Sequence, residues 1–185
     1  MSLKTNSSGV KNKKTIAESN FCIVCEYLKG GSLRSYLRKN KTKKLSMKNV
    51  VQFALDIAKG LSYLHSNKII HCDVKPENML IDKHHTIKIA DFGESVFMKP
   101  SQFILIGNQS GTLGYMAPEN MRPSIPVDCP KWLARLMERC WNTDPTKRPE
   151  MKDVVVELEE IQKSHELQTM SGNRHGVFGF SCFGV

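Results

Sequence analysis

The first twenty residues, MSLKTNSSGVKNKKTIAESN, hold few apolar positions and no period, and read as a polar leader. At FCIVCEYL, residues 21–28, the pattern changes to a β-branched apolar run closed by KGG, which predicts a strand ending in a flexible connection. SLRSYLRKN then predicts a short helix. A longer helix starts after Ser46, a good N-cap, and ends near His65 and Ser66. It carries Val50, Phe53, Ala54, Ile57, Leu61 and Leu64 at helical spacing, and this stripe is the candidate core. MLID and TIKIAD predict two brief strands joined by KHH, a hairpin whose outer ends bring Asn78 and Asp91 into one neighbourhood. From Phe97 to Ser110 no period is evident, which predicts loop. CPKWLARLMERCW (129–141) and KDVVVELEEIQ (152–162) predict helices separated by the turn NTDPTKRPE, and residues 166–185 read as a flexible tail.

A chain of 185 residues with 40% hydrophobic content is long enough for one core and short for two, so one globular domain is expected. The net charge of +9 is carried largely by two runs, KNKK at 11–14 and RKNKTKK at 38–44. No aromatic residues interleave with these lysines to stack bases; the runs read as solvated helix ends and loops, and no specific nucleic acid partner is expected. No apolar stretch has the length of a transmembrane segment and the leader lacks a signal-peptide core, which places the chain in the cytoplasm, with nuclear targeting by the lysine runs a weaker option. The six cysteines have no framework spacing and are expected as thiols. CIVC at 22–25 lies in a strand-like run where positions three apart face opposite ways, so it reads as neither a zinc site nor a redox motif.

The chemistry concentrates in HCDVKPENML, residues 71–80. Phosphoryl transfer needs a carboxylate to orient or accept the proton of the attacking hydroxyl, a cation near the γ-phosphate, and oxygen ligands for magnesium. Asp73 is the candidate base and Lys75 the cation; Asn78 and Asp91 are hard oxygen donors suited to Mg²⁺. The plainer roles are a turn capped by Asp73 and Asn78, and a core histidine, His71, that braces the loop.

H-x-D-x-K-x-x-N at 71–78, then DFG at 91–93, then APE at 117–119, resembles the ordered signature of protein kinases. LSYLHSNKIIHCDVKPENMLID, TIKIADFG, GTLGYMAPE and RCWNTDPTKRPEM are similar to plant Raf-like (MAP kinase kinase kinase-type) serine/threonine/tyrosine kinases, over roughly residues 21–165. The resemblance implies an α+β, protein-kinase-like fold: a mainly helical C-lobe with a hinge strand and a small β pair. It makes VCEYLKGG the hinge, with Cys25 as gatekeeper, the backbone of Glu26 and Leu28 facing adenine, and Leu80 as the floor of the adenine pocket. ATP and Mg²⁺ are the implied cofactors, and a protein substrate or a partner kinase the implied partner. Thr112, Leu113 and Tyr115 would belong to a substrate-facing loop, and Glu119 would pair with Arg148 in a buried bridge.

The chain also departs from that pattern. The residues before Phe21 contain no Gly-rich loop, no V-A-I-K-like strand lysine and no helix glutamate, and GVFGFSCFG in the tail opens no helix that would replace them. Between Glu119 and Pro130 stands only NMRPSIPVDC, where the family has a long central helix and another after it. That loss is expected to expose apolar faces of the 50–64 and 132–141 helices. Cys72 replaces an arginine that usually meets an activation-loop phosphate, which argues against that mode of switching. The expectation is a leader (1–20), a partial kinase domain (21–165) and a tail (166–185). By family it phosphorylates protein Ser or Thr, with Tyr a further option, and has little or no activity alone. The alternatives are a non-catalytic, kinase-derived interaction module and a truncated gene product.

Overall fold

The computed structural model describes residues 23–43, 45–98, 111–112, 115 and 122–170, and it is organised around helix α2, Met47–Ser66. The Ser46 hydroxyl accepts the Asn49 N–H at 3.3 Å and starts this helix. Its end is closed by Asn67, whose side-chain amide donates to the Tyr63 carbonyl, followed by Lys68 in the left-handed region. The shorter α1, Leu33–Lys39, is capped in the same way by Ser32, which accepts from Ser35 N–H at 3.2 Å.

After α2 come β1 (Ile69–Ile70), a 3-10 turn at Pro76–Asn78, β2 (Met79–Ile81), β3 (Ile87–Ile89) and β4 (Val96–Phe97). β2 and β3 form the expected antiparallel hairpin, in the register Met79 to Ile89 and Ile81 to Ile87. Its turn is held by the Asp82 carboxylate, which accepts from the N–H groups of His84 and Thr86. Helices α3 (Lys131–Cys140) and α4 (Met151–Met170) follow. The described residues thus form an α+β fold of four helices and two small antiparallel pairs.

Two apolar clusters lie on either side of α2. Phe53, with Ile57 at its edge, packs against Leu33 of α1 and Met79, Ile81 and Ile87 of the hairpin. Leu55 and Ala58 pack against Leu136 of α3 and Val154 and Leu158 of α4. A helix buried on two sides needs more than one stripe: Val51, Leu55 and Ala58 are buried although they lie off the expected one, and Ile57 and Leu61 are only half-buried.

Four expectations are corrected. Residues 23–28 form no strand; Ile23, Val24 and Tyr27 are exposed, because no strand among the described residues lies beside them to pair their backbone. KGG is a close backbone approach instead of a loose connection: Gly30 N–H donates to the Ile81 carbonyl and Ile81 N–H to that of Gly31. Val96 and Phe97 form β4, paired with β1, although nothing in their local pattern marks a strand. The α2 and α3 faces expected to be bare are covered at Leu55, Ala58 and Leu136 by α4.

Candidate active site

Between β1 and β2 the chain makes a short loop fixed from below by His71, which is 1% exposed. Its Nδ1 accepts the Asp73 N–H at 3.3 Å, so Nε2 carries the proton and donates to the Ala90 carbonyl at 3.0 Å. The imidazole therefore ties the loop to the residue before Asp91, the bracing role expected of it.

Asp73 is buried, and three side chains converge on its carboxylate. Lys75 Nζ lies 2.6 Å from Oδ2, the Asn78 amide donates to Oδ2 at 3.0 Å, and the Thr112 hydroxyl donates to Oδ1 at 2.7 Å. Lys75 also donates to the Thr112 oxygen at 2.8 Å, which closes a triangle. The Lys75 bond, then that of Thr112, and more weakly that of Asn78, outweigh burial and hold the Asp73 carboxyl down at about 2. Lys75 is correspondingly raised by Asp73, against the opposing effect of its desolvation. A carboxylate has about four lone-pair directions. Two on Oδ2 and one on Oδ1 are taken, leaving one on Oδ1 to receive a hydroxyl.

Asn78 is 5% exposed and spends both amide protons on Asp73, one on Oδ2 and one on the backbone carbonyl. Its amide oxygen is left as a hard donor. The backbone bond from Ala90 N–H to the Asn78 carbonyl, 2.8 Å, sets Asp91 next to it across the open end of the hairpin. Asp91 is exposed, with φ of 63°, and one of its oxygens receives only a long contact from Gly93 N–H at 3.4 Å. Two such oxygens fit Mg²⁺, which binds through one or two protein groups plus phosphate and water. Among the described residues no cluster of three or more His, Cys, Asp or Glu side chains would hold a metal by itself.

The residues expected around adenine are not gathered in this way. Cys25 and Glu26 are exposed; the Glu26 carboxylate pairs with Lys88 of β3, and its backbone has no hydrogen-bond partner among the described residues. Leu28 and Leu80 are half-buried, with Leu80 on the face of β2 opposite the buried Met79 and Ile81 and bridged to Ser32. Tyr115 N–H donates to the Thr112 carbonyl, while Leu113 and Glu119 lie outside the described residues. Arg148 donates through Nε to the Asn142 carbonyl at 2.7 Å.

Two contacts were not foreseen: the Thr112 hydroxyl on Asp73, and Arg34 of α1 on Glu77 of the loop at 2.5 Å. Cys72 has φ of 65°, and its thiol donates to the Ile70 carbonyl. Burial first and Glu94 second push that thiol up, so it stays protonated and supplies no charge for a phosphate.

A model of the protein kinase domain matches residues 9–130, and one described as protein tyrosine and serine/threonine kinase matches residues 115–158. The chain is 32% identical over 188 residues to the serine/threonine/tyrosine-protein kinase HT1 of Arabidopsis thaliana, covering 77% of this chain and 48% of the relative. It is 32% identical over 189 residues to the serine/threonine-protein kinase STY46 of the same plant, covering 78% and 32%. Against the putative serine/threonine-protein kinase/receptor R826 of Acanthamoeba polyphaga mimivirus it is 34% identical over 190 residues, covering 78% and 11%. The chain spans less than half the length of each of these relatives. Each alignment is longer than the whole chain while covering under four fifths of it, so within the match the relatives carry residues that have no counterpart here.

Proposed function

Because the chain belongs to the protein kinase family, we propose that it carries the phosphoryl-transfer half of a kinase cleft, which moves the γ-phosphate of MgATP to a Ser or Thr, or a Tyr, hydroxyl of a protein. The observation that carries this reading is the triangle of Asp73, Lys75 and Thr112 over Asn78, with one free lone-pair direction on Asp73 Oδ1. Asp73 orients the attacking hydroxyl through that direction. Held at about 2, it is a weak proton acceptor, and its part is chiefly positioning. Lys75, though paired with Asp73, is the cation proposed for the transferred phosphoryl group. The Asn78 amide oxygen and the Asp91 carboxylate would hold Mg²⁺, which neutralises charge on the nucleotide phosphates when bound. Cys25, the backbone of Glu26 and Leu28, and Leu80 are proposed to face adenine.

The proposed kinase region is 21–165, with the segment that the relatives carry in addition falling after Glu119, and the proposed setting is the cytoplasm. None of the described helices is long and apolar enough to cross a membrane. As the 185-residue chain, we expect weak turnover or none, since the side chains of Cys25 and Glu26 at the hinge are exposed and Asp91 is exposed, whereas such catalysis depends on preorganised charge.

The test is the thermal unfolding midpoint with and without MgATP, in the parent and in Asp91→Ala. A midpoint raised by MgATP in the parent and unmoved in the variant supports a usable half-cleft. A transition indifferent to MgATP, or one equally responsive in both proteins, overturns it. The second reading, a kinase-derived interaction module, rests on the apolar side chains exposed at the hinge and on α2, Ile23, Val24, Tyr27 and Tyr63. It predicts partner capture that Asp91→Ala leaves unchanged.

A further inference from the structure

The run at 38–43 reads by itself as a solvated helix end, and Arg38 and Lys39 do complement the C-terminal dipole of α1. The fold adds something the run does not contain. The ring of Tyr36, in the last turns of α1, packs edge-on against His85 with centroids 6.0 Å apart. This sets the β2–β3 turn, Lys83, His84 and His85, beside the end of α1 and the turn that follows it, where Lys41 N–H bonds to the Arg38 carbonyl and Lys43 N–H to that of Asn40. Arg38, Lys39, Lys41, Lys43 and Lys83 are all exposed, and none forms an ion pair with a described residue. The carboxylate nearest in the turn, Asp82, is already engaged by the His84 and Thr86 N–H groups.

From this juxtaposition we infer that the α1 end and the hairpin turn form a docking surface for an anionic lipid bilayer. Two of the five cations close α1 and three sit on the two turns beside it, and none of them lines the groove at Trp132 and Glu157 or the groove at Tyr63 and Phe92. No exposed Phe, Tyr or Trp interleaves with them to stack a base; the exposed rings there are the imidazoles of His84 and His85, the latter set against Tyr36. A flat, laterally mobile array of negative headgroups matches such a surface, and clusters of four to eight Lys or Arg are the size that anionic membranes hold. The arrangement also orients the molecule: the turn is the closed end of the hairpin, while Asn78 and Asp91 lie at its open end, on the order of 10 Å away along the strands. A chain held by the turn keeps its cleft clear of the lipid.

The test is cosedimentation of the full chain with phosphatidylcholine vesicles with and without phosphatidylserine. The parent is compared with a patch variant (Lys39, Lys41, Lys43 and Lys83 to Gln) and a charge-matched control (Lys131, Arg135, Lys147 and Lys152 to Gln). Affinity is expected to fall about fivefold per patch cation, several hundredfold in all, and far less in the control. A triple variant confined to the turns, Lys41, Lys43 and Lys83 to Gln, gives the same reading without touching a helix. Equal losses in patch and control variants, or no sedimentation of the parent with anionic vesicles, overturn the proposal. A patch variant that keeps vesicle binding but loses single-stranded RNA binding overturns it in favour of nucleic acid.

Discussion

Thr112 stands 39 residues after Asp73 in the chain, and its hydroxyl donates to the Asp73 carboxylate at 2.7 Å. With Lys75 it holds that carboxylate ionised, Lys75 contributing most. Lys75→Met is therefore expected to raise the Asp73 carboxyl pKa well above its present value of about 2, and Thr112→Val to raise it by less. Carboxyl carbon chemical shifts followed against pH would check this. A larger rise in the threonine variant would mean that the ion pair is screened and that the hydroxyl controls the site.

The same bonds set a pH dependence of stability. The folded Asp73 carboxyl titrates at about 2, below its ordinary 3.8. Its contribution is thus complete above pH 3.8 and is lost as pH falls towards 2. Lys75 works in the opposite sense: raised above 10.5, it contributes fully below that value and loses its share as pH rises beyond it. The thermal midpoint of the parent should fall between pH 4 and 2, and that of Asp73→Asn should fall less over this interval. An identical acid limb in both proteins would remove Asp73 from the balance.

Gly30 and Gly31 differ in what each forbids. A Cβ at Gly30 would lie 2.4 Å from the Ile81 carbonyl oxygen, a backbone atom that cannot move without breaking the hairpin edge. At Gly31 nothing is near, but φ is +70°. Gly31→Ala is expected to cost about 1 kcal/mol in αL strain, and Gly30→Ala at least about 2 kcal/mol, as expected for a clash in packed structure. Urea midpoints at unchanged m-value would rank them, and a milder effect at Gly30 would mean that the 28–31 segment swings clear of β2.

How much of this could be read along the chain depended on range. The helices were legible because their caps and periods are local: Ser46 and its stripe mark α2 without any partner. The β2–β3 hairpin and the crowding of Asp73, Lys75 and Asn78 into one loop were legible for the same reason. Residues 23–28 misled because apolar β-branched composition makes a strand only when another strand lies alongside. β4 was missed for the converse reason, since Val96 and Phe97 become a strand through β1. Thr112 was assigned to its loop, but no spacing rule carries it back to Asp73.

The second face of α2 shows the same limit and can be tested. Leu158 of α4 is 1% exposed and packs in the cluster with Leu55, Ala58 and Leu136, whereas Val156 on the same helix is 55% exposed. Leu158→Ala should cost about 2 to 5 kcal/mol, and Val156→Ala should stay within about 0.5 kcal/mol. Chemical denaturation of both variants is sufficient. Similar small effects at the two positions would mean that α4 does not cover α2 and α3, and that their apolar faces are bare as the sequence led one to expect.

Asp56 joins these two halves. One carboxylate oxygen accepts the N–H of Ile87, a buried residue of β3, at 2.9 Å, and the other accepts the Gln52 amide at 2.7 Å. Gln52 in turn accepts from Gln162 of α4 at 2.8 Å, so a single chain of bonds runs from α4 through α2 to the hairpin that carries Asn78 and Asp91 at its open end. Asp56→Ala leaves the Ile87 N–H without its acceptor, at a cost of about 1 to 3 kcal/mol. Asp56→Asn keeps one carbonyl oxygen and should lose less than about 1 kcal/mol, while Gln162→Ala removes only the half-buried outer link and should lose about 0.5 kcal/mol. Hydrogen exchange at the Ile87 amide separates local from global effects: it should quicken most in Asp56→Ala and least in Gln162→Ala. If the Asn variant exchanges as fast as the Ala variant, the negative charge of Asp56, and not its acceptor geometry, holds the hairpin on α2.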